Sequence, residues 1–363
     1  MLPRLFIGET QKTAKLPALW LGLITLTDLL RENMIPKRIH LIDILRGFAL
    51  IGILFANISG IGRLAFSEAP SDRFIYDLTD LVFEQRFFPI FSVLFGLGFF
   101  IFMRNADEKG LPAIRLMIRR LTVLILFGIG HQFLQPGEAL LLYGILGFAL
   151  LPFFKPSAKI SLLATLVALV LSFLLTEYFV ILAMFFLGMY LGKLDYFNRL
   201  EQYRRPTIIV WLLSLMLIYP LLWAQQTYYA SGSYSIWLAA AGLAIATAMV
   251  TSLILWRKTE TWLFPLAAFG RMALTNYILQ TLIVLAITFA LGGFYSLNMR
   301  AVPYIWISIW PLQIILSNLW LRRFYYGPLE WLWRWGTYGR KPAFSKREPA
   351  RCEQVLPDGS FHD

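Results

Sequence analysis

Residues 159–175 read KISLLATLVALVLSFLL, and their pattern decides between the two architectures that can cross a lipid bilayer. A membrane β-barrel needs strands of about 10 residues in which polar and apolar side chains alternate. Here Ser161, Thr165 and Ser172 interrupt apolar runs without any period of two, which is the signature of a helix. A helix rises about 1.5 Å per residue, so roughly 20 apolar residues cover a hydrocarbon core of about 30 Å. Working outward, comparable runs bounded by charge or turn residues fall at 41–62, 87–103, 117–135, 139–154, 159–176, 177–192, 207–224, 236–256, 272–292 and 302–320. The fourth and sixth are short, and the joint between the fifth and sixth is marked only by Thr176, Glu177 and Tyr178. The expectation is an all-α, polytopic integral membrane protein with about ten transmembrane helices.

Composition agrees, since 363 residues with 58% hydrophobic and 15% charged side chains carry too much apolar surface for a fold in water. The charges are sorted by side. Alternate linkers hold Arg104, Lys109, Arg115, Arg119 and Arg120, then Lys155 and Lys159, then Lys193, Arg199, Arg204 and Arg205, then Arg257 and Lys258, with the tail from Arg322 onward. The intervening linkers hold only Arg63, Arg73, Arg86 and Arg300. Cytoplasmic loops collect Lys and Arg, so both termini are expected in the cytoplasm. The net charge of +12 then reflects basic linkers facing anionic membrane lipids and calls for no nucleic acid. A single cysteine, Cys352 in the polar tail, excludes an internal disulfide and a cysteine metal cluster.

Four regions follow. Residues 1–37 form an N-terminal extension whose apolar stretch from Leu16 to Leu30 contains Asp28 and precedes Met34 and the basic Pro36-Lys37-Arg38. It reads as a signal-peptide core, an interfacial helix or, the favoured reading, translated sequence upstream of a start at Met34. Residues 38–320 form the transmembrane bundle. Residues 321–340, with Trp331, Trp333 and Trp335 after Pro328, form an amphipathic juxtamembrane segment, and 341–363 form a disordered polar tail.

Polar groups in hydrocarbon are costly unless paired, so they mark candidate sites. Asp43 and Arg46 share one helix face, either as a local ion pair or with Arg46 holding a phosphate or carboxylate at the inner mouth of a cavity. Asn57, roughly 16 Å deeper on the same helix, either bonds a neighbouring helix or binds substrate. His131 belongs at a similar depth, with Glu138 able to orient it for proton transfer; a histidine hydrogen-bonded between helices is the other reading. Arg271 either reaches lipid phosphates or, beside Arg46, grips a pyrophosphate-bearing donor, while Thr275, Asn276 and Gln280 give a polar stripe in which Asn276 and Gln280, one turn apart on one face, are expected with Asp43 to help bind substrate or donor. Gly188 and Gly192 mark close helix packing. Asp72, Asp77, Asp80 and Glu84 make the longest outer linker acidic, as a lid or a solvated loop. No zinc-ligand spacing, phosphate-cradling glycine loop or dinucleotide fingerprint occurs, so no metal and no bound cofactor is expected.

Six stretches in order resemble one family. They are RIHLIDILRGFALIGILFANISG at 38–60, FFPIFSVLFGLG at 87–98, RRLTVLILFGIGHQFLQPGEALLLYGILG at 119–147, FFLGMYLGK at 185–193, FGRMALTNYILQ at 269–280, and GPLEWLWR at 327–334 with Thr337-Tyr338-Gly339. This resembles the YeiB-like bacterial membrane family of unknown function, DUF418, which is distantly similar to membrane acyltransferases, including the heparan glucosaminide acetyltransferase group and those that acylate surface sugars. The shared element is Asp43, Arg46 and a polar residue at 57. Many sugar acyltransferases have a histidine general base there; this chain has Asn57, as the heparan enzymes do, and has Glu68 where their spacing would suggest a histidine. The family usually has Gly-Asp-Ile-Leu where this chain reads Gly137-Glu138-Ala139-Leu140.

The resemblance implies a multi-pass protein of the bacterial inner membrane that moves an acyl group from a cytoplasmic donor, with acyl-coenzyme A as co-substrate, to a sugar or lipid acceptor on the outer side. Arg46 and Arg271 would bind donor phosphates, Asn57 the acyl carbonyl, and His131 with Glu138 would deprotonate the acceptor. A permease for a small polar or amphipathic molecule is the alternative and predicts pseudo-symmetric repeats; the Asp-x-x-Arg-Gly at 43–47 and Gly-Arg-Met at 270–272 are not copies. A scaffold or sensor instead predicts polar residues that pair among themselves. Nothing in the sequence sets the oligomeric state.

Overall fold

The computed structural model describes residues 40–176, 178–256 and 258–347. The extension 1–37, Glu177, Arg257 and the tail from 348, with Cys352 and His362, lie outside the described residues. The rest is helical: α1 His40–Gly62, α2 Pro70–Leu78, α3 Phe88–Glu108, α4 Ala113–Gln132, α5 Ala139–Gly147, α6 Ala158–Leu174, α7 Tyr178–Lys193 and α8 Arg204–Thr227. Then come α9 Tyr234–Leu255, α10 Thr259–Trp262, α11 Phe264–Arg271, α12 Ala273–Ala290, α13 Val302–Arg323 and α14 Pro328–Tyr338.

Six helical segments are long and apolar enough to cross a membrane, among them α1, α8, α9 and α12, together with Pro70–Glu108 and Met299–Arg323, which contain α3 and α13. Apolar helices also occupy the four remaining expected segments. α4 has the length but carries Arg115, Arg119 and Arg120 in its first half, while α6, α7 and α5 with its 3₁₀ extension to Phe153 are shorter.

Three boundaries depart from the sequence expectation. The segment expected to run to 135 stops at Gln132, because the amides of Leu134 and Gln135 fold back onto the His131 carbonyl. Gly137, at φ +80°, completes that turn in a region of backbone space suited to glycine. Gly270 and Arg271 close α11, a separate short helix opened by Pro265, and α12 begins after a break at Met272. The acidic outer linker also folds, giving α2 and a π-helical turn over Thr79–Phe83.

Small residues allow the helices to approach closely. A Cβ on Gly96 would lie 2.0 Å from the Phe185 carbonyl oxygen, and one on Gly188 would lie 2.0 Å from that of Val93, so α3 and α7 meet backbone to backbone. The glycine pair 188 and 192 is therefore a packing motif. A Cβ on Gly270 would lie 1.9 Å from the Asp43 carbonyl oxygen, which seats α11 directly on α1. α1 is central, with Leu54, Phe55, Ile58 and Ile61 packed against Val284 of α12 and Val302, Ile305 and Ile309 of α13. α8 lies at the other extreme, exposing Leu212, Leu213, Met216 and Tyr219 as a lipid-facing helix does.

α14 is docked at three points. Glu330 accepts from the amides of Leu274 and Thr275 at the start of α12 (2.7 and 3.0 Å) and from the Thr275 hydroxyl at 2.6 Å. Trp333 donates its indole N–H to the Arg120 carbonyl at 2.8 Å, and Trp331 donates to that of Pro342. Trp335 is exposed, so of the three tryptophans it alone presents a large free face in the manner of an interfacial belt.

Candidate functional site

The end of α4, the start of α5 and the middle of α12 converge on one buried polar cluster. Glu138 is the N-cap of α5 and accepts from the amides of Leu140 at 2.6 Å and Leu141 at 2.7 Å, groups that a helix start leaves without partners. Its Oε2 lies 3.1 Å from His131 Nδ1, and both side chains are fully shielded at 0% exposure. The other imidazole nitrogen, Nε2, lies 3.0 Å from the Thr281 hydroxyl. The Thr281 hydroxyl also donates to Gln135 Oε1, at 3.0 Å, on the loop between α4 and α5. The Tyr277 ring meets His131 edge-on, 5.2 Å between centroids. The cluster thus has a carboxylate, an imidazole and a hydroxyl in series, an arrangement able to move a proton.

Asn276 and Gln280 belong to a different network, about 100° around α12 from Tyr277 and Thr281. Asn276 donates to the Phe269 carbonyl and to Ser317, each at 3.0 Å, and Gln280 donates to Gln313 at 3.1 Å. Gln313 donates in turn to the Asn276 carbonyl. These buried groups satisfy one another and join α12 to α13, the helix-bridging role that polar residues commonly take in membranes.

Asp43 and Arg46 form the ion pair expected at the start of α1, at 2.9 Å. Arg271 donates to the Tyr325 carbonyl at 3.3 Å, and the α1–α11 contact at Gly270 holds it beside the turn of α1 that carries Asp43. Two further arginines, read from the sequence only as part of a basic linker and tail, also lie at this end of the bundle. Arg120 stacks on Trp333 at 3.7 Å and on Phe102 at 4.9 Å, and the charges of Arg46 and Arg334 both act on it. Arg334 lies over Tyr326 and Tyr338. Among the described residues neither Arg120 nor Arg334 forms a salt bridge, so this end of the bundle holds a concentration of positive charge against aromatic faces.

Asn57 is half-buried on α1 and makes no side-chain hydrogen bond among the described residues. Glu68 is exposed and sits 3.7 Å from Arg73. The outer acidic residues divide, with Asp72 buried and accepting from Ser67 and the Arg300 amide, and Asp80 accepting from Gln225 and Tyr234. Gln225 also accepts from Arg86, a fully buried arginine. Among the described residues no group of three or more His, Cys, Asp and Glu could hold a metal ion.

Thr281, Gln135, Tyr277 and Glu330 are the site and docking residues that sequence reasoning missed. Thr281 follows Gln280, and one step of about 100° around the helix turns it from α13 toward α4. Burial pushes the Glu330 carboxyl above its ordinary range, against the lowering effect of the bonds it accepts from Thr275 and Leu274.

The fold and these networks define a polytopic all-helical membrane protein whose interior carries a shielded carboxylate–imidazole pair. Residues 191–340 match the family described as "Protein of unknown function (DUF418)". An uncharacterized 39.9 kDa protein encoded in the amylase 3' region of Bacillus acidopullulyticus is 33% identical over 343 residues, covering 86% of this chain and 98% of the relative. The uncharacterized protein YxaH of Bacillus subtilis is 29% identical, over 85% of this chain and 96% of its own. The uncharacterized protein YeiB of Escherichia coli is 27% identical, over 84% and 98%. The chain belongs to the YeiB-like DUF418 family.

Proposed function

We propose that this protein is an acyltransferase of the bacterial inner membrane, with all ten apolar segments crossing the bilayer and both termini in the cytoplasm. It takes an acyl group from a cytoplasmic acyl-coenzyme A and delivers it to a sugar or lipid acceptor at the outer half of the membrane. The observation that carries this reading is the Glu138–His131 pair, hydrogen-bonded at 3.1 Å and sealed from solvent. An ionisable pair in a membrane interior costs several kcal/mol to maintain. A carboxylate that fixes the imidazole is the arrangement a general base requires.

Donor binding falls to Arg46, oriented by Asp43, and to Arg271 on the neighbouring helix. Arg120 and Arg334 add to the same positive field, which suits the phosphates of a coenzyme A and is relieved when they bind. Asn57, which makes no side-chain hydrogen bond among the described residues, is available to the acyl carbonyl about 16 Å deeper. Asn276 and Gln280 hold the α12 face against α13 and act by positioning.

Calorimetric and thermal-shift titration of the purified protein with acetyl-coenzyme A and longer acyl-coenzyme A species tests the donor site. Saturable binding that Arg46→Ala abolishes is the expected result. Stable protein that binds none of them contradicts the reading and favours a permease.

A further inference from the structure

The hydrogen-bond chemistry around His131 assigns a role to Thr281. Both oxygens of Glu138 accept from backbone amides, so the carboxylate acts as an acceptor toward His131 as well, and Nδ1 carries the proton that bridges them. Nε2 then holds a lone pair. The Thr281 hydroxyl, 3.0 Å away, is the group within reach to donate to it. In the structure that hydroxyl donates to Gln135 Oε1 at 3.0 Å, and moving the Gln135 loop aside releases it to donate to Nε2. The series is carboxylate, imidazole, hydroxyl, with both links within hydrogen-bond reach. That is the constellation which activates a hydroxyl nucleophile on unrelated folds.

A second observation stands independently. Tyr277 is one helical turn before Thr281 on the same face of α12. It is only 7% exposed, yet among the described residues its O–H proton has no acceptor. The Ala139 amide, first in α5, points its N–H at the Tyr277 hydroxyl oxygen. Leaving a buried donor unpaired costs about 1–3 kcal/mol, a cost that an acceptor atom of a bound ligand would relieve. An N–H at a helix start and an O–H beside an activated hydroxyl are donors suited to a developing oxyanion.

We propose that Thr281 is the nucleophile and carries the acyl group as an ester between donor and acceptor, with Tyr277 donating to the oxyanion. This rests on the acyltransferase reading and adds a covalent intermediate to it. Thr281 Oγ1 attacks the thioester carbonyl carbon and its proton passes to His131 Nε2. The C–S bond breaks as the tetrahedral centre collapses, and the proton leaves with the thiolate as coenzyme A thiol. The acceptor hydroxyl or amine then attacks the threonine ester, its proton goes to Nε2, and the C–O bond to Thr281 breaks as that oxygen takes the proton back. Thr281 is 1% exposed and lies against Gln135, so entry of either substrate requires the Gln135 loop to move, with Gly137 as its left-handed hinge.

The test treats detergent-solubilised full-length protein separately with a fluorophosphonate, which captures activated hydroxyls whatever the natural donor, and with acetyl-coenzyme A, followed by peptide mass spectrometry. Adducts on Thr281 are expected in the wild type and in Thr281→Ser, absent from Thr281→Val, and formed roughly 10²-fold or more slowly in His131→Gln. Phosphonylation of Thr281 without acetylation upholds the nucleophile and refutes acetyl-coenzyme A as donor. Acetyl transfer by Thr281→Val at the wild-type rate overturns the intermediate while leaving the acyltransferase reading intact. Folded wild-type protein that takes neither adduct on Thr281 overturns the proposal.

Discussion

Replacing Glu330 with alanine removes the cap that α12 receives from another helix. Met272, at the N-cap position of α12, supplies no side-chain bond, so the amides of Leu274 and Thr275 depend on Glu330, at 2.7 and 3.0 Å. The Thr275 hydroxyl, donating at 2.6 Å, loses its acceptor too. Loss of a cap costs about 0.5–2 kcal/mol, and a hydrogen bond to a charged group contributes about 1.5–3 kcal/mol. Water entering at the membrane edge recovers part of this, so the expected loss is about 2–4 kcal/mol. One kcal/mol lowers Tm by roughly 2–4 °C in a chain of 150–250 residues and by less in a longer one, which places the drop near 4–8 °C. Fluorescence-detected unfolding in detergent reads it, with Glu68→Ala as the control because that side chain is 83% exposed. Glu330→Ala melting together with wild type and the control would refute the capping argument.

The same carboxyl has a pH signature. Its folded pKa is raised by burial, so the stability linked to its protonation is fully present below the unfolded value of about 4.3 and is lost as pH rises through the folded value, leaving the capping bonds of the carboxylate. Thermal midpoints of wild type relative to Glu330→Gln should therefore fall with rising pH across that window, and a constant difference would contradict the assignment. At the α3–α7 crossing, Gly188→Val places a branched side chain where even a Cβ meets the Val93 carbonyl oxygen at 2.0 Å. Overpacking of this kind costs about 1–3 kcal/mol, and the helices must also separate, so the variant should melt lower, whereas Gly130→Ala, whose Cβ meets nothing within 4 Å, should not; the same thermal assay decides.

Helical segments were legible in the sequence because a bilayer penalises every interruption of an apolar run. The expected segments coincide with helices even where a helix, such as α6 or α7, is shorter than a typical span. The His131–Glu138 pair was legible because a Pro136-Gly137 turn has to bring together two residues separated by so short a loop. The break at Met272 was not, since Gly270 and Arg271 read equally well as the start of α12 until the close contact of Gly270 with α1 is seen. Thr281 was hidden by chemistry, because a threonine in an apolar helix usually bonds its own backbone and raises no alarm. Glu330 was hidden by distance, its partners lying on a helix much earlier in the chain. Asn276 and Gln280 were singled out as substrate- or donor-binding residues, and they bond Ser317 and Gln313 instead, because one sequence cannot distinguish a polar group that meets a ligand from one that meets a neighbouring helix.

The central claim is that the shielded His131 site transfers an acyl group across the bilayer. Inner-membrane vesicles containing equal amounts of wild-type or His131→Ala protein, supplied with radiolabelled acetyl-coenzyme A on the cytoplasmic face, test it most directly. The account predicts label accumulating in a lipid or glycan fraction with wild type and falling to the vector background with His131→Ala. Equal labelling by the two proteins, or none above background from folded wild type, would contradict it.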